Sequence, residues 1–341
     1  MNHNSSCNNE QNQTTSSDST LKCNATESLA VGGQALMEGI MLRHGSRLAL
    51  AVRKPNGEII SKVIPWYSLT SSPLLKKPFL RGFPTLVETL INGIRALNMS
   101  ATVAVEDDAQ ELTPWHLALT LIISIGMALL LFVVIPHVLT IGINNAGLSS
   151  GVENLSFHIW DGLFKMSMFV GYIAAISFVP DIRRVFQFHG AEHKIINAYE
   201  TGANVTAASA ANFSRLHPRC GTTFLLFVIS ISILLHVIFV PSLMHFWTPE
   251  NAILKHSVII LVKLILIVPI SSCAYELIRF AAKMNNSLLT KILQAPGLLL
   301  QKMTTKEPDQ SQLEVAVVAL YEVLGPIPPN FVTPPAYSNW E

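Results

Sequence analysis

Of the 341 residues, 50% are apolar and 13% charged, and the mean hydropathy is +0.41. That balance fits lipid-facing helices and excludes an ordinary soluble domain. A formal net charge of +1, with Lys and Arg spread between the apolar runs, gives no field for nucleic acid.

Residues 1–28 are rich in Asn, Ser, Thr and Gln and lack the apolar stretch of a signal peptide, so a disordered polar tail is expected. Cys7, Cys23, Cys220 and Cys273 form no CxxC pair and no disulfide framework, and reduced thiols are expected. Residues 29–114 read as an α+β region. Its Gly-dense start, Gly32 to Arg43, can lay backbone close to a ligand or simply make turns, and it carries Glu38 as an extra candidate ligand. Residues 47–64 predict a β-hairpin around Asn56-Gly57. From Pro84 to Ala101, the spacing of Leu86, Leu90, Ile94 and Leu97 predicts an amphipathic helix, lying in the membrane interface or packed on the sheet, with Lys76, Lys77 and Arg81 ahead of it.

Four apolar runs follow, about 117–136, 160–179, 222–240 and 257–274, each near the ~20 residues that cross a bilayer core. The fold class is therefore an α-helical membrane protein: four transmembrane helices with a small cytoplasmic hairpin and amphipathic-helix region. Lys165 is expected to snorkel to the headgroups. His236 and Lys263 lie deeper, and interhelical hydrogen bonding outweighs an ion relay for them. Lys and Arg number ten before the first run, none in 142–159, five in 180–221, one in 241–256 and five after 274. The positive-inside rule then puts both termini and the loop 180–221 in the cytoplasm of a multi-pass plasma (inner) membrane protein. Residues 275–341 read as a cytoplasmic helical tail with a loose Pro-rich end.

The loop 180–221 holds the chemistry. A helix starting at Pro180-Asp181 and stopping at Gly202 contains His189-Gly190-Ala191-Glu192-His193. At 100° per residue, the two histidines stand about 40° and about 6 Å apart, so both can reach one ion. H-x-x-E-H is the inverted zinc-hydrolase spacing, in which two histidines hold the metal and the glutamate takes a proton from bound water. A third ligand is needed. His217 and Cys220 of the turn His217-Pro218-Arg219-Cys220-Gly221 are level candidates, and Glu200, about 10.5 Å up a straight helix from His193, ranks third.

GGQALMEGIMLR at 32–43, PFLRGF at 78–83, FHGAEHKIINAYE at 188–200, HPRCGTTF at 217–224 and APGLLLQKMTTKEPD at 295–309, followed by QLEVAVVAL, resemble the YqhQ-like family of bacterial polytopic membrane proteins. The resemblance runs from about residue 30 to 324. It implies the membrane architecture. The family's labels, a domain of unknown function or a metal-dependent enzyme, rest on the same His-Glu-His residues and add no separate support for an activity.

Two function classes stay open. One is a metal-dependent hydrolase with zinc as the foremost divalent metal, His189 and His193 as ligands with His217 or Cys220, and Glu192 as general base. The other is a non-enzymatic assembly or interaction protein with membrane-protein partners. A transporter ranks below both, because the spans offer few polar residues for a path. Oligomeric state is not legible.

Overall fold

The computed structural model describes residues 31–70, 72–104, 114–283, 288–325 and 334–340. The polar tail expected at 1–28 lies outside them.

The N-terminal region is a sheet, wider than the one hairpin expected. Its strands are β1 (Val31–Leu36), β2 (Gly39–His44), β3 (Arg47–Arg53), β4 (Ile59–Pro65) and β5 (Ser338–Asn339), in spatial order β1-β2-β3-β4-β5. The first four form an antiparallel meander, and β5 runs parallel to β4. Two-residue loops join β1 to β2 and β2 to β3. Each has a residue in the left-handed region, Glu38 at φ 51° and Gly45 at φ 60°. The Asn56-Gly57 turn is where the sequence puts it: Gly57 has φ 89° and Asn56 Oδ1 accepts from Glu58 N at 2.9 Å. The C-terminal segment, expected to be loose, returns to the sheet, with Trp340 N donating to Ser61 O at 2.7 Å. Residues 326–333 lie outside the described residues.

Strand alternation divides the core in two. Ile40, Leu42, Ala49 and Ala51 pack toward α5 (Pro180–Glu200), α6 (Ala207–Ala210) and α11 (Gln310–Leu324). Met41, Leu48 and Leu50 pack on the other face, where α1 (Gly82–Ala104) contributes Ala96. The amphipathic helix α1 thus sits on the sheet, but not by its apolar stripe. Glu88, Asn92, Ala96 and Ser100 are buried, while Leu90 and Leu97 are 51% and 41% exposed. Its buried polar groups are satisfied by the segment after β4. Glu88 Oε1 accepts from Ser68 Oγ at 2.9 Å and from the backbone N of Leu69 and Thr70 at 2.5 Å each, and Asn92 bonds the backbone N and O of Tyr67.

Four helical stretches are long and apolar enough to cross a membrane: Ala118–Asn145, Leu155–Ile176, Gly221–Phe246 and Ala252–Ala281. The first comprises α2 (Pro114–Leu129), a π-turn at Leu130–Val134 and α3 (Ile135–Asn145). Pro136 has no N–H for the carbonyl four residues back, and the ladder widens just ahead of it. The second is α4 (Leu155–Ile176), the third α7 (Gly221–Phe246), and the fourth joins α8 (Ala252–Ile265) to α9 (Ile267–Lys283). The helix α10 (Leu288–Thr304) then leans back on the bundle, where Leu300 clusters with Phe169 and Ile173.

Lys165 does not snorkel. It is 5% exposed and points inward, 3.6 Å from Asp161 Oδ2. Lys263 and His236 turn into the bundle as expected. Residues 31–104, the segment between α4 and α7, and α11 with β5 build one α/β domain. The four apolar helices leave from it and return to it.

Candidate functional site

The helix α5 begins with Pro180 at its first turn, Asp181 beside the positive end of its dipole, and it closes before Gly202 at φ 72°. One face enters the core through Phe188, Ala191 and Ile195, which turns the neighbouring His189–His193 face toward the start of α7. The two imidazole centroids are 4.4 Å apart. Cys220, at the N-cap of α7, joins them: one ligand atom from each of His189, His193 and Cys220 lies within 4.8 Å of the others.

Both rings are oriented from behind. His189 Nδ1 is 2.9 Å from Thr304 O and His193 Nδ1 is 2.6 Å from Arg215 O. A carbonyl only accepts, so each Nδ1 carries the hydrogen and each Nε2 keeps its lone pair. That is the arrangement that presets metal-binding histidines. His189 Nε2 stands 3.2 Å from Cys220 Sγ. Burial lowers the His193 pKa to about 3, so this imidazole is neutral near pH 7, the form that ligates. Burial pushes the Cys220 thiol up, which disfavours a free thiolate.

The carbonyls come from two stapled segments. Lys194 Nζ donates to Ala211 O and Phe213 O at 2.9 Å each, and Asn197 Nδ2 to Ser214 O at 2.7 Å, fixing the loop that presents Arg215 O. The strap 304–309 joins α10 to α11. Lys306 N donates to Phe186 O at 2.8 Å, and Glu307 pairs with Lys194 at 3.0 Å and Arg215 at 3.4 Å. Asp309 caps α11 in a reciprocal box with Gln312. Gly190 permits this close approach, since a Cβ there would strike the Lys306 carbonyl oxygen.

Glu192 lies beside the three ligand atoms without joining them. It is 5% exposed, and its Oε2 has no hydrogen-bond partner among the described residues. Burial raises its pKa to about 8. Gly33 makes room for it: a Cβ at that position would come within 3.0 Å of Glu192 Oε1, against a tight backbone and Leu42.

The remaining candidates separate. His217 is clamped by Gln301, whose side chain bonds its backbone N and O at 2.8 Å each, and its ring faces Glu200 at 3.4 Å. Glu200 also pairs with Arg219. Burial lowers the His217 pKa to about 4, so its neutral ring hydrogen-bonds the Glu200–Arg219 ion pair in a neighbouring group, with the His217 ring centroid 5.8 Å from that of His193. Glu38 pairs with Arg184. The supporting residues Thr304, Arg215, Gln301 and Lys194 act through long-range contacts that leave no local pattern in the sequence. Their nearest sequence signal is the stretch TTKEPD, a family motif whose role only the fold supplies.

The chain is 31% identical over 309 residues to "Uncharacterized protein YqhQ" of Bacillus subtilis (strain 168), covering 86% of this chain and 92% of that protein. No solved structure matches. Residues 77–326, which contain α5, the His217–Cys220 turn and the strap, match the family described as "Protein of unknown function (DUF1385)", and the chain belongs to that family.

Proposed function

We propose that this is a multi-pass plasma membrane protein whose α/β domain and termini face the cytoplasm and whose His189, His193 and Cys220 hold a divalent metal, zinc foremost, for a hydrolytic reaction. The observation that carries the reading is the convergence of the three ligand atoms within 4.8 Å, with both imidazoles tied through Nδ1 to backbone carbonyls. Two nitrogens and one sulfur leave a tetrahedral ion one open position, the composition of catalytic zinc sites. A zinc ion there would supply Lewis acidity and a water of lowered pKa.

The chain's own groups supply the rest. His189 and His193 hold their lone pairs toward the centre. Cys220 contributes the one anionic ligand, set at the positive end of the long helix α7. Glu192 is desolvated and its Oε2 has no partner among the described residues, and beside a cation at the His–Cys centre its raised carboxyl would return to the carboxylate that accepts a proton there. Support for the cytoplasmic side is the Lys and Arg distribution: ten lie before the first apolar run, five in 180–221 and five after 274, whereas 142–159 carries none and 241–256 only one.

Metal analysis of the full-length protein in detergent tests this. About one zinc per chain is expected in the wild type and in Glu200→Gln and Glu192→Gln, and loss in His189→Ala, His193→Ala and Cys220→Ser. Wild type that stays metal-free after zinc is supplied defeats the reading. In a hydrolysis screen, Glu192→Gln should fall roughly 100- to 10,000-fold while keeping its zinc.

A further inference from the structure

The membrane-length helices enclose a second cluster of ionisable groups, far from the His–Cys site. Asp161, His158 and Lys165 come from α4, His137 from α3, His236 from α7 and Lys263 from α8, and all six are buried. Lys263 Nζ is 2.8 Å from Asp161 Oδ1, off the axis of a hydrogen bond, and 3.2 Å from His137 Nδ1. His137 Nε2 is 2.9 Å from His256 Nδ1. On the other side, Lys165 Nζ is 3.6 Å from Asp161 Oδ2 and 3.5 Å from His236 Nδ1. His158 turns away to Val152 O at 2.9 Å.

The donors fix the tautomers. An ammonium only donates, so His137 accepts at Nδ1 and carries its hydrogen on Nε2. That hydrogen is given to His256 Nδ1, so the His256 hydrogen sits on Nε2. His256 is half-buried, one turn inside α8, whose N-cap is Asn251, at the end of the bundle away from the α/β domain. Beside it Lys255 pairs with Glu153. A line of hydrogen bonds with one polarity thus runs from Lys263 to that surface.

A structural ion pair would need only Asp161 and one lysine. Here one carboxylate faces two ammonium groups, which leaves one positive charge in excess inside a low-dielectric bundle. Releasing a single proton removes the excess.

We infer that Lys263 is a proton-binding site within the membrane that exchanges its proton with the side opposite the α/β domain through His137 and His256. In release, Lys263 gives a proton to His137 Nδ1, the His137 Nε2 proton passes to His256 Nδ1, and the His256 Nε2 proton leaves to water. One proton departs, both imidazoles end neutral with their hydrogens moved to Nδ1, and Lys263 ends as the free amine. Uptake runs the same steps backward. Asp161 balances the remaining Lys165, so the cluster alternates between net +1 and zero.

The test uses full-length protein in phosphatidylcholine–phosphatidylglycerol vesicles adsorbed on a solid-supported membrane, with capacitive current recorded after a pH step. Wild type should give a transient current, because the proton crosses part of the membrane to reach Lys263. His256→Ala, at a half-buried position and checked for folding by size exclusion and circular dichroism, should slow the transient at least 10-fold. Lys263→Met, checked for folding by size exclusion and circular dichroism, should abolish it. A wild type without a transient, or a transient of unchanged rate in His256→Ala, overturns the inference.

Discussion

Position 190 leaves no room for a methyl group. The Lys306 carbonyl occupies the space where a Cβ would stand, so Gly190→Ala must push the strap 304–309 off α5. Overpacking of this kind costs about 1–3 kcal/mol. The displaced strap carries Thr304 O, the acceptor that orients His189, so Gly190→Ala should lower both the thermal midpoint and the zinc affinity. Unchanged melting and unchanged zinc titration would refute the packing argument. The histidine pair was legible in sequence because i,i+4 neighbours share a helix face regardless of tertiary context. The third candidate ligand was legible only as a tie, since His217 and Cys220 occupy one turn. What separates them is the Gln301 clamp, a contact 84 residues distant in the chain. Asp161 leaves one mark in sequence, its i,i+4 spacing to Lys165, which composition alone does not distinguish from a surface pair.

Helix α1 shows why periodicity predicts an element better than its orientation. The 3.6-residue stripe of Leu86, Leu90, Ile94 and Leu97 is real, yet the sheet takes the face bearing Glu88 and Asn92. In a water-soluble protein the apolar stripe would face inward. Next to a bilayer, both faces can be apolar surroundings, and the stripe no longer says which is the core. The cost of burying Glu88 is offset by its donors, so Glu88→Ala, which strands the hydroxyl of Ser68 and the N–H groups of Leu69 and Thr70, should destabilise the domain by about 2 kcal/mol or more. Burial alone would raise the Glu88 carboxyl. Hydrogen bonds from Thr70, Ser68 and Trp66 outweigh it and hold the group below its ordinary 4.5. Because the folded value is the lower one, the stabilisation is complete above pH 4.5 and fades as pH falls through the folded value. Thermal melts between pH 7 and pH 3 should therefore show a smaller acid-side loss in Glu88→Gln than in wild type, and equal losses would rule the carboxylate out as the source. The first hairpin, β1–β2, escaped sequence reading for a related reason. Gly32, Gly33 and Gly39 interrupt the alternation that marks strands, and the closeness that Gly33 and Gly39 provide serves Glu192 and the neighbouring strand.

At the scale of the molecule, the constraint is that three distant segments share one hydrophobic core. Val31, Ile40 and Ala49 from the first, Phe188 and Ile195 from the second, and Leu313 and Val317 from the third pack in one cluster, so no membrane can separate them. An even number of crossings must lie in each interval, two between the first and second segments and two between the second and third, which the four membrane-length helices supply. The apolar runs and the alternating basic residues point to the same arrangement from sequence, because both follow from local composition. The shared core did not show, because it depends on contacts such as β4 with β5 across more than 270 residues. Single-cysteine labelling decides the matter. In a Cys7→Ser, Cys23→Ser, Cys273→Ser background with buried Cys220 retained, a membrane-impermeant maleimide should label Ser149→Cys, in the short loop before α4, on intact cells. Lys54→Cys, Asn204→Cys and Ser311→Cys, one on each segment of the domain, should react only after permeabilisation, and all three to the same extent. If one of the three were labelled on intact cells while the others stayed protected, the segments could not share a core, and the His–Cys site assembled from the second and third would lose its scaffold.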